Sequence, residues 1–216
     1  MSQSGKPSNK KEAIIKELEN GIALIAYLDL ANMFHWQSRL KRKFQIEEII
    51  SELQNISSIK EIKIYFGIDT RKKKASKTIQ ERVEDKGAVF ITKPVKYIKR
   101  IVNRSFFFKK STFTLLDTKT TTRVNQLIKE AKEINLVIEE PKCNFDVEIT
   151  MDIINDMKKI KGILLFSGDS DFRAPLELLK RKGKKVYIVG ARGQVAKELF
   201  ETGHRFINFG IFLKPK

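Results

Sequence analysis

The sequence predicts an α/β fold: a mostly parallel sheet with helices on both faces, interrupted by an inserted basic β-hairpin and helix. Three observations carry that reading. Short apolar runs such as residues 22–28 are nearly uninterrupted, the pattern of a strand buried on both faces. These runs alternate with segments of helical spacing, the crossovers that a parallel strand needs to return beside its neighbour. Gly21, Gly67, Gly162, Gly183, Gly190 and Gly203 stand at the junctions, where turns and caps are required.

In chain order, residues 10–19 space Ala13, Ile14, Glu17 and Leu18 as a helix after a polar Ser, Gly and Lys tail. Residues 22–28 follow as the first and central strand, ending at Asp29. Residues 31–42 and 46–55 read as helices, 62–66 as the second strand, 71–86 as a basic helix and 88–92 as the third strand. The rhythm then breaks. Residues 97–102, 106–108 and 112–116 are β-branched and aromatic with Lys and Arg between them, and read as an inserted basic hairpin. A helix near 124–133 and a short strand at 136–139 complete the insertion. The alternation resumes with helix 145–158, strand 163–166, helix 175–181, strand 186–189, helix 195–201 and strand 205–209. The expected organisation is a tail and helix over 1–20, a single domain over 21–210 with an insertion at about 95–141, and a C-terminal tail over 211–216.

The 216 residues hold 43 Lys and Arg against 26 Asp and Glu, a formal net charge of +17. Solubility needs less, so a polyanionic partner is the first expectation. The excess is also local, with 14 basic and 3 acidic residues in 71–110, whereas a generally Lys-rich surface would spread it. No basic amphipathic helix with a Trp or Phe face and no long apolar run is present, so no membrane partner is expected. The one cysteine, Cys143, excludes an intramolecular disulfide and a Cys-based zinc site of ordinary spacing. Residues 1–19 lack the apolar segment of a secretion signal, and the expectation is a soluble cytoplasmic protein.

In open α/β sheets ligands sit at the carboxyl ends of the strands, so the residues that end the apolar runs are the first to examine. Two runs end in acids. Asp29 closes the first, with Asn32 three residues on, and Ser167-Gly168-Asp169-Ser170-Asp171 follows the strand at 163–166. A single such Asp is equally a helix N-cap, but several together point to a shared site. At about 100° per residue the helix over 145–158 sets Val147, Ile149, Met151, Ile153, Ile154 and Met157 on one apolar arc. Asp146 falls near the middle of that arc, and Glu148, Asp152 and Asp156 fall on the opposite, solvent side. A carboxylate on a buried face needs a partner. With oxygen donors only, that partner is a hard cation, Mg2+ or Mn2+, or else an Arg or Lys.

Three segments together resemble the NYN domain of the PIN-like nuclease group, in its LabA-like branch. They are Tyr27-Leu28-Asp29-Leu30-Ala31-Asn32, then Phe145-Asp146-Val147-Glu148-Ile149 with Asp152, then Ser167-Gly168-Asp169-Ser170-Asp171-Phe172 followed by Pro175, Leu179, Gly183, Lys185, Val186 and Gly190. Order and spacing agree over roughly residues 22–92 and 142–209. The resemblance implies a Rossmann-like PIN/NYN fold, a divalent-metal site built from carboxylates, and RNA as substrate. The family's acidic positions fall on Asp29, Asp146, Asp169 and Asp171, expected as both metal ligands and catalytic residues, with Asn32 and Ser167 as polar support. Asp152 also matches a family acid, and the helix reading, which turns it about 120° from Asp146, makes it a supporting residue. The chain departs from the family pattern at 95–141, where the family passes quickly from the third strand to the acidic helix.

The expected chemistry is metal-dependent, endonucleolytic hydrolysis of single-stranded or structured RNA. Arg71, Lys72, Lys73, Lys74, Lys93, Lys96, Lys99, Arg100, Arg104, Lys109 and Lys110 form the basic rim expected to hold the phosphate backbone. Phe106, Phe107 and Phe108 could stack on unpaired bases or join two copies in a homodimer. Two other classes stay open: a nucleic-acid-binding module without turnover, and a protein-interaction scaffold built on the hairpin. His35 and His204 are too few and too far apart for a nucleophile-and-base pair. Gly190 and Gly193 are explained by a turn, so nucleotide binding is not expected.

Overall fold

A computed structural model describes residues 7–19, 21–40, 42–101, 117–202 and 204–214. The elements in chain order are α1 (Pro7–Leu18), β1 (Leu24–Asp29), α2 (Leu30–Leu40), α3 (Ile46–Gln54), β2 (Ile59–Tyr65), α4 (Lys73–Glu84), β3 (Val89–Ile91) and β4 (Lys96–Ile101). They continue with α5 (Thr118–Glu133), β5 (Val137–Lys142), α6 (Asp146–Asp156), β6 (Gly162–Phe166), α7 (Arg173–Arg181), β7 (Lys185–Gly190), α8 (Lys197–Glu201) and β8 (Arg205–Asn208). The chain divides into two compact units, one of Met1–Pro94 with Asn144–Lys216 and the other of Val95–Cys143.

The first unit is built on six parallel strands in the order β3-β2-β1-β6-β7-β8. Every residue of β1 and β6 is buried, which is why neither run alternates between apolar and polar. β1 is central, as its composition predicts, and it extends one residue beyond the apolar run to include Asp29. The chain steps outward from β1 to β2 and β3, then returns to the other side of β1 as β6 and steps outward again. The connections leaving β1 and β6 therefore diverge, and the crevice between them is where a sheet of this topology holds a ligand.

The first and last described elements pack within this unit. Ile14 and Leu18 of α1 are buried, and the terminal helical turn Phe209–Phe212 buries Phe209 and Phe212. Phe209 meets Trp36 edge-on at 5.1 Å and Phe44 at 5.2 Å, while Phe212 lies 5.2 Å from Phe166. Such pairs add about 0.5–1.5 kcal/mol each beyond their burial. They fix α2, and hence Asn32 on its first turn, against the core.

In the second unit β4 pairs antiparallel with β5, from Lys96 opposite Lys142 to Ile101 opposite Val137. The expected hairpin partners at 106–108 and 112–116 lie outside the described residues, as do Arg104, Lys109 and Lys110. The observed pairing matches a basic strand to an acidic one: Lys99 stands opposite Glu139, and Arg100 reaches Glu140 at 2.6 Å. β5 is longer than the expected 136–139 and runs through Pro141, which an edge strand tolerates. α5 begins six residues before the apolar spacing suggests, because Asp117 caps it by accepting from the Thr120 N–H at 2.9 Å.

Candidate metal centre

The four acids expected from the sequence gather at the carboxyl edge of the sheet. Asp29 ends β1, Asp169 and Asp171 follow β6, and Asp146 opens α6. Carboxylate oxygens of Asp146, Asp169 and Asp171 lie within 4.8 Å of one another. Asp29 is 9% exposed, and the charges of Asp146 and Asp169 act on it.

Short-range hydrogen bonds hold these side chains. Asn32 N–H donates to Asp29 Oδ1 at 3.1 Å, and Gly168 N–H donates to Asn32 Oδ1 at 3.3 Å, so Asn32 links the β1 and β6 ends. Asp169 N–H donates to the Ser167 hydroxyl at 3.3 Å, and Asp171 N–H donates to Asp169 Oδ1 at 3.1 Å. The capping role and the site role therefore use the same groups. Asn144, which the sequence reading overlooked, accepts from the Asp146 N–H at 2.7 Å. Its signal was an Asn two residues before a helix-opening acid, the pattern of an Asx turn. Gly168 has no room for a side chain, since a Cβ there would lie 2.1 Å from the Gln194 carbonyl oxygen. Its own carbonyl accepts from the Ala196 N–H at 2.9 Å, which ties the loop after β7 to the acidic loop.

Burial pushes the Asp29 carboxyl up to about 6, with Asp146 and Asp169 adding to the rise and hydrogen bonds from Asn32 and Ser167 opposing it. Burial also raises Asp146, against a hydrogen bond from Asn144 and with Asp169, Asp171 and Glu148 adding. Among the described residues no ion pair engages Asp29 or Asp146, and the groups that act most on them are other carboxylates and hydrogen-bonding neighbours. An all-oxygen anionic set of this kind suits a hard divalent cation.

The helix reading of α6 needs correcting. Ile149 and Ile153 are buried as expected, but Val147, Met151 and Ile154 are exposed, and Asp156, expected in solvent, is buried. Asp146 and Asp152 are half-buried. The cause is a polar stripe on the sheet beneath. Tyr27 OH donates to Asp156 Oδ2 at 2.9 Å, Lys63 Nζ donates to the same oxygen at 2.6 Å, and Tyr65 OH donates to Asp152 Oδ2 at 2.7 Å. Lys63 Nζ is also 4.0 Å from Asp152. Asp152 therefore faces the sheet and anchors the helix that carries Asp146. Burial and the neighbouring acids push both tyrosines far above their ordinary range, so both stay protonated donors. Burial pulls Lys63 down, but its bond to Asp156 and the acids around it outweigh that, and it stays charged.

Lys63→Met would leave the Asp156 carboxylate buried with its main counter-charge gone, and is expected to cost about 3 kcal/mol. Adding Asp156→Leu should restore most of the loss. Urea denaturation of the two variants checks this, and a Lys63→Met midpoint equal to wild type would refute it.

The basic residues divide by location. Lys93 Nζ is 2.5 Å from Glu148 and 4.8 Å from the centre of the Phe145 ring, so it braces the start of α6. Arg71, Lys72 and Lys74 are exposed around the first turn of α4, with Lys73 between them. Lys96, Lys99 and Arg100 are exposed on β4 of the second unit.

A model of the NYN domain family matches residues 24–211. The Low amplitude and bright protein LabA of Synechococcus elongatus is 37% identical over 67 residues, a stretch that spans 31% of this chain and 36% of that protein. The chain thus matches about a third of that relative's length. A crystal structure from Vibrio parahaemolyticus, of a protein of unknown function, covers 88% of this chain and 94% of its own, with a TM-score of 0.58 at 19% identity, a likeness of fold. Among the described residues no helix is long and apolar enough to cross a membrane.

Proposed function

This chain belongs to the NYN domain family, a PIN-like nuclease group, and on that footing we propose that it is a divalent-metal-dependent endoribonuclease of the cytoplasm. The observation that carries the reading is the convergence of Asp146, Asp169 and Asp171 beside the buried Asp29, where among the described residues no ion pair engages Asp29 or Asp146. Asp29, Asp146, Asp169 and Asp171 would hold Mg2+ or Mn2+, which when bound neutralises charge at a phosphodiester and lowers the pKa of water. Asn32 and Ser167 orient Asp29, Asn144 fixes the backbone of Asp146, and the Asp171 N–H occupies one oxygen of Asp169. Hydrolysis forms a bond from water oxygen to phosphorus and breaks the phosphorus–ribose oxygen bond, with a proton passing to the leaving oxygen. Arg71, Lys72 and Lys74, exposed past β2 at the same edge of the sheet, would supply cationic contacts to the phosphates.

The test is incubation of end-labelled single-stranded and hairpin RNA with the purified protein in Mn2+, Mg2+ or EDTA. Internal cleavage is expected with metal, and binding without cleavage in EDTA. A folded protein that binds RNA but never cuts it would favour the binding-module reading instead.

A further inference from the structure

The carboxyl edge of the sheet has an order of charge that the nuclease reading does not itself require. Past β2 come Lys72 and Lys74, both exposed; past β1 and β6 come the carboxylates; past β7 comes Arg192, also exposed. Among the described residues no ion pair engages the side chains of Lys72, Lys74 or Arg192. Acid in the middle and unneutralised base on both flanks is a pattern across the strands, made from chain segments far apart in sequence.

The β7 flank is firmly built. Gln194 N–H donates to the Ala191 carbonyl at 3.0 Å, Gly193 takes a φ of +73°, and Ala196 N–H donates to Gly168 at 2.9 Å. Arg192 is thus carried by a tight turn bonded to the backbone just before Asp169. β2 and β7 are separated by β1 and β6, about 14 Å at the usual strand spacing. That span takes roughly four nucleotides at the 3.4 Å rise of a stacked strand, and fewer if the strand is extended.

We propose that one single strand of RNA crosses the carboxyl edge of the sheet, held by Lys72 and Lys74 on one flank and by Arg192 on the other. The phosphodiester to be cut lies over the carboxylates between them. The proposal rests on the nuclease reading and adds the path, the polarity-dependent footprint and Arg192, which the basic rim read from the sequence does not include. A single strand fits because its consecutive phosphates reach both flanks while one phosphate meets the acids. Arg192 acts as a positioning residue that touches the neighbouring backbone.

The test uses the full chain and 12-nucleotide labelled oligouridine, with Arg192→Gln and with Lys72→Gln/Lys74→Gln. Binding in EDTA, followed by fluorescence anisotropy over a salt series, should weaken about fivefold for Arg192→Gln, with the salt slope smaller by about 0.7. The double variant should lose about twice that slope. In Mn2+, KM should rise while kcat at saturating RNA stays near wild type. Shortening the substrate from one end should remove sensitivity to Arg192→Gln alone, and shortening it from the other end should remove sensitivity to the Lys changes alone. If wild type cuts RNA and the variants bind and cut it identically, the path is wrong and the nuclease reading stands. Sensitivity that is independent of which end is shortened, or confined to hairpin RNA, also overturns the path. If wild type neither binds nor cuts RNA, the parent reading fails.

Discussion

Asp169→Asn is expected to reduce RNA cleavage by about a thousandfold or more, the scale of losing several kcal/mol of transition-state charge stabilisation. The fold should survive, because the Asn side-chain oxygen can still accept from the Asp171 N–H and cap the turn that follows β6. Affinity for RNA in EDTA should be equal or higher, since one negative charge facing the phosphates is gone. Single-turnover cleavage in Mn2+, with thermal melts as a control, measures all three. Cleavage within tenfold of wild type by a folded variant would remove Asp169 from the chemistry.

Asp29→Asn should act in the opposite sense on stability. The Asp29 carboxyl titrates near 6 in the folded chain and near its ordinary 3.8 when unfolded. Between those values the folded chain holds a proton that the unfolded chain has released. Stability of the metal-free protein therefore falls as pH rises through that window and stays low above it. Removing the charge should stabilise the protein in EDTA by about 2–3 kcal/mol at pH 7.5, with little gain left at pH 4. Mn2+ should reverse the order, raising the melting temperature of wild type more than that of the variant. Denaturation curves at the two pH values give the answer. A gain as large at pH 4 as at pH 7.5 would show that ionisation of Asp29 is not the cause.

The central strands were readable because burial on both faces leaves their signature in one short window, as in Ala26 to Leu28 or Leu164 to Phe166. Asp29, Asp169 and Asp171 were readable for the same reason: once a strand end is located, the next polar residue is at the edge of the sheet. The face of α6 was not. Its apolar arc is real, but Tyr27, Lys63 and Tyr65 come from distant strands and draw Asp152 and Asp156 inward, leaving Val147 and Met151 in solvent. Periodicity records what a helix offers, not what the opposing surface accepts. The partner of β4 was hidden for a related reason, since Arg100 and Glu140 meet across an intervening helix.

The β4–β5 ladder also bears on how the chain finds its fold. The sheet closes through the pairing of Leu24 with Gly162 and Leu28 with Phe166, contacts of long sequence separation that make for slow folding. Chain entropy opposes such a closure in proportion to the logarithm of the loop, about 0.6 kcal/mol for each doubling. Because Lys96 pairs with Lys142, an insertion that has zipped its own ends together enters that search as a short bridge. It lengthens the polypeptide while sparing β1 and β6 most of the slack that its residues would otherwise add.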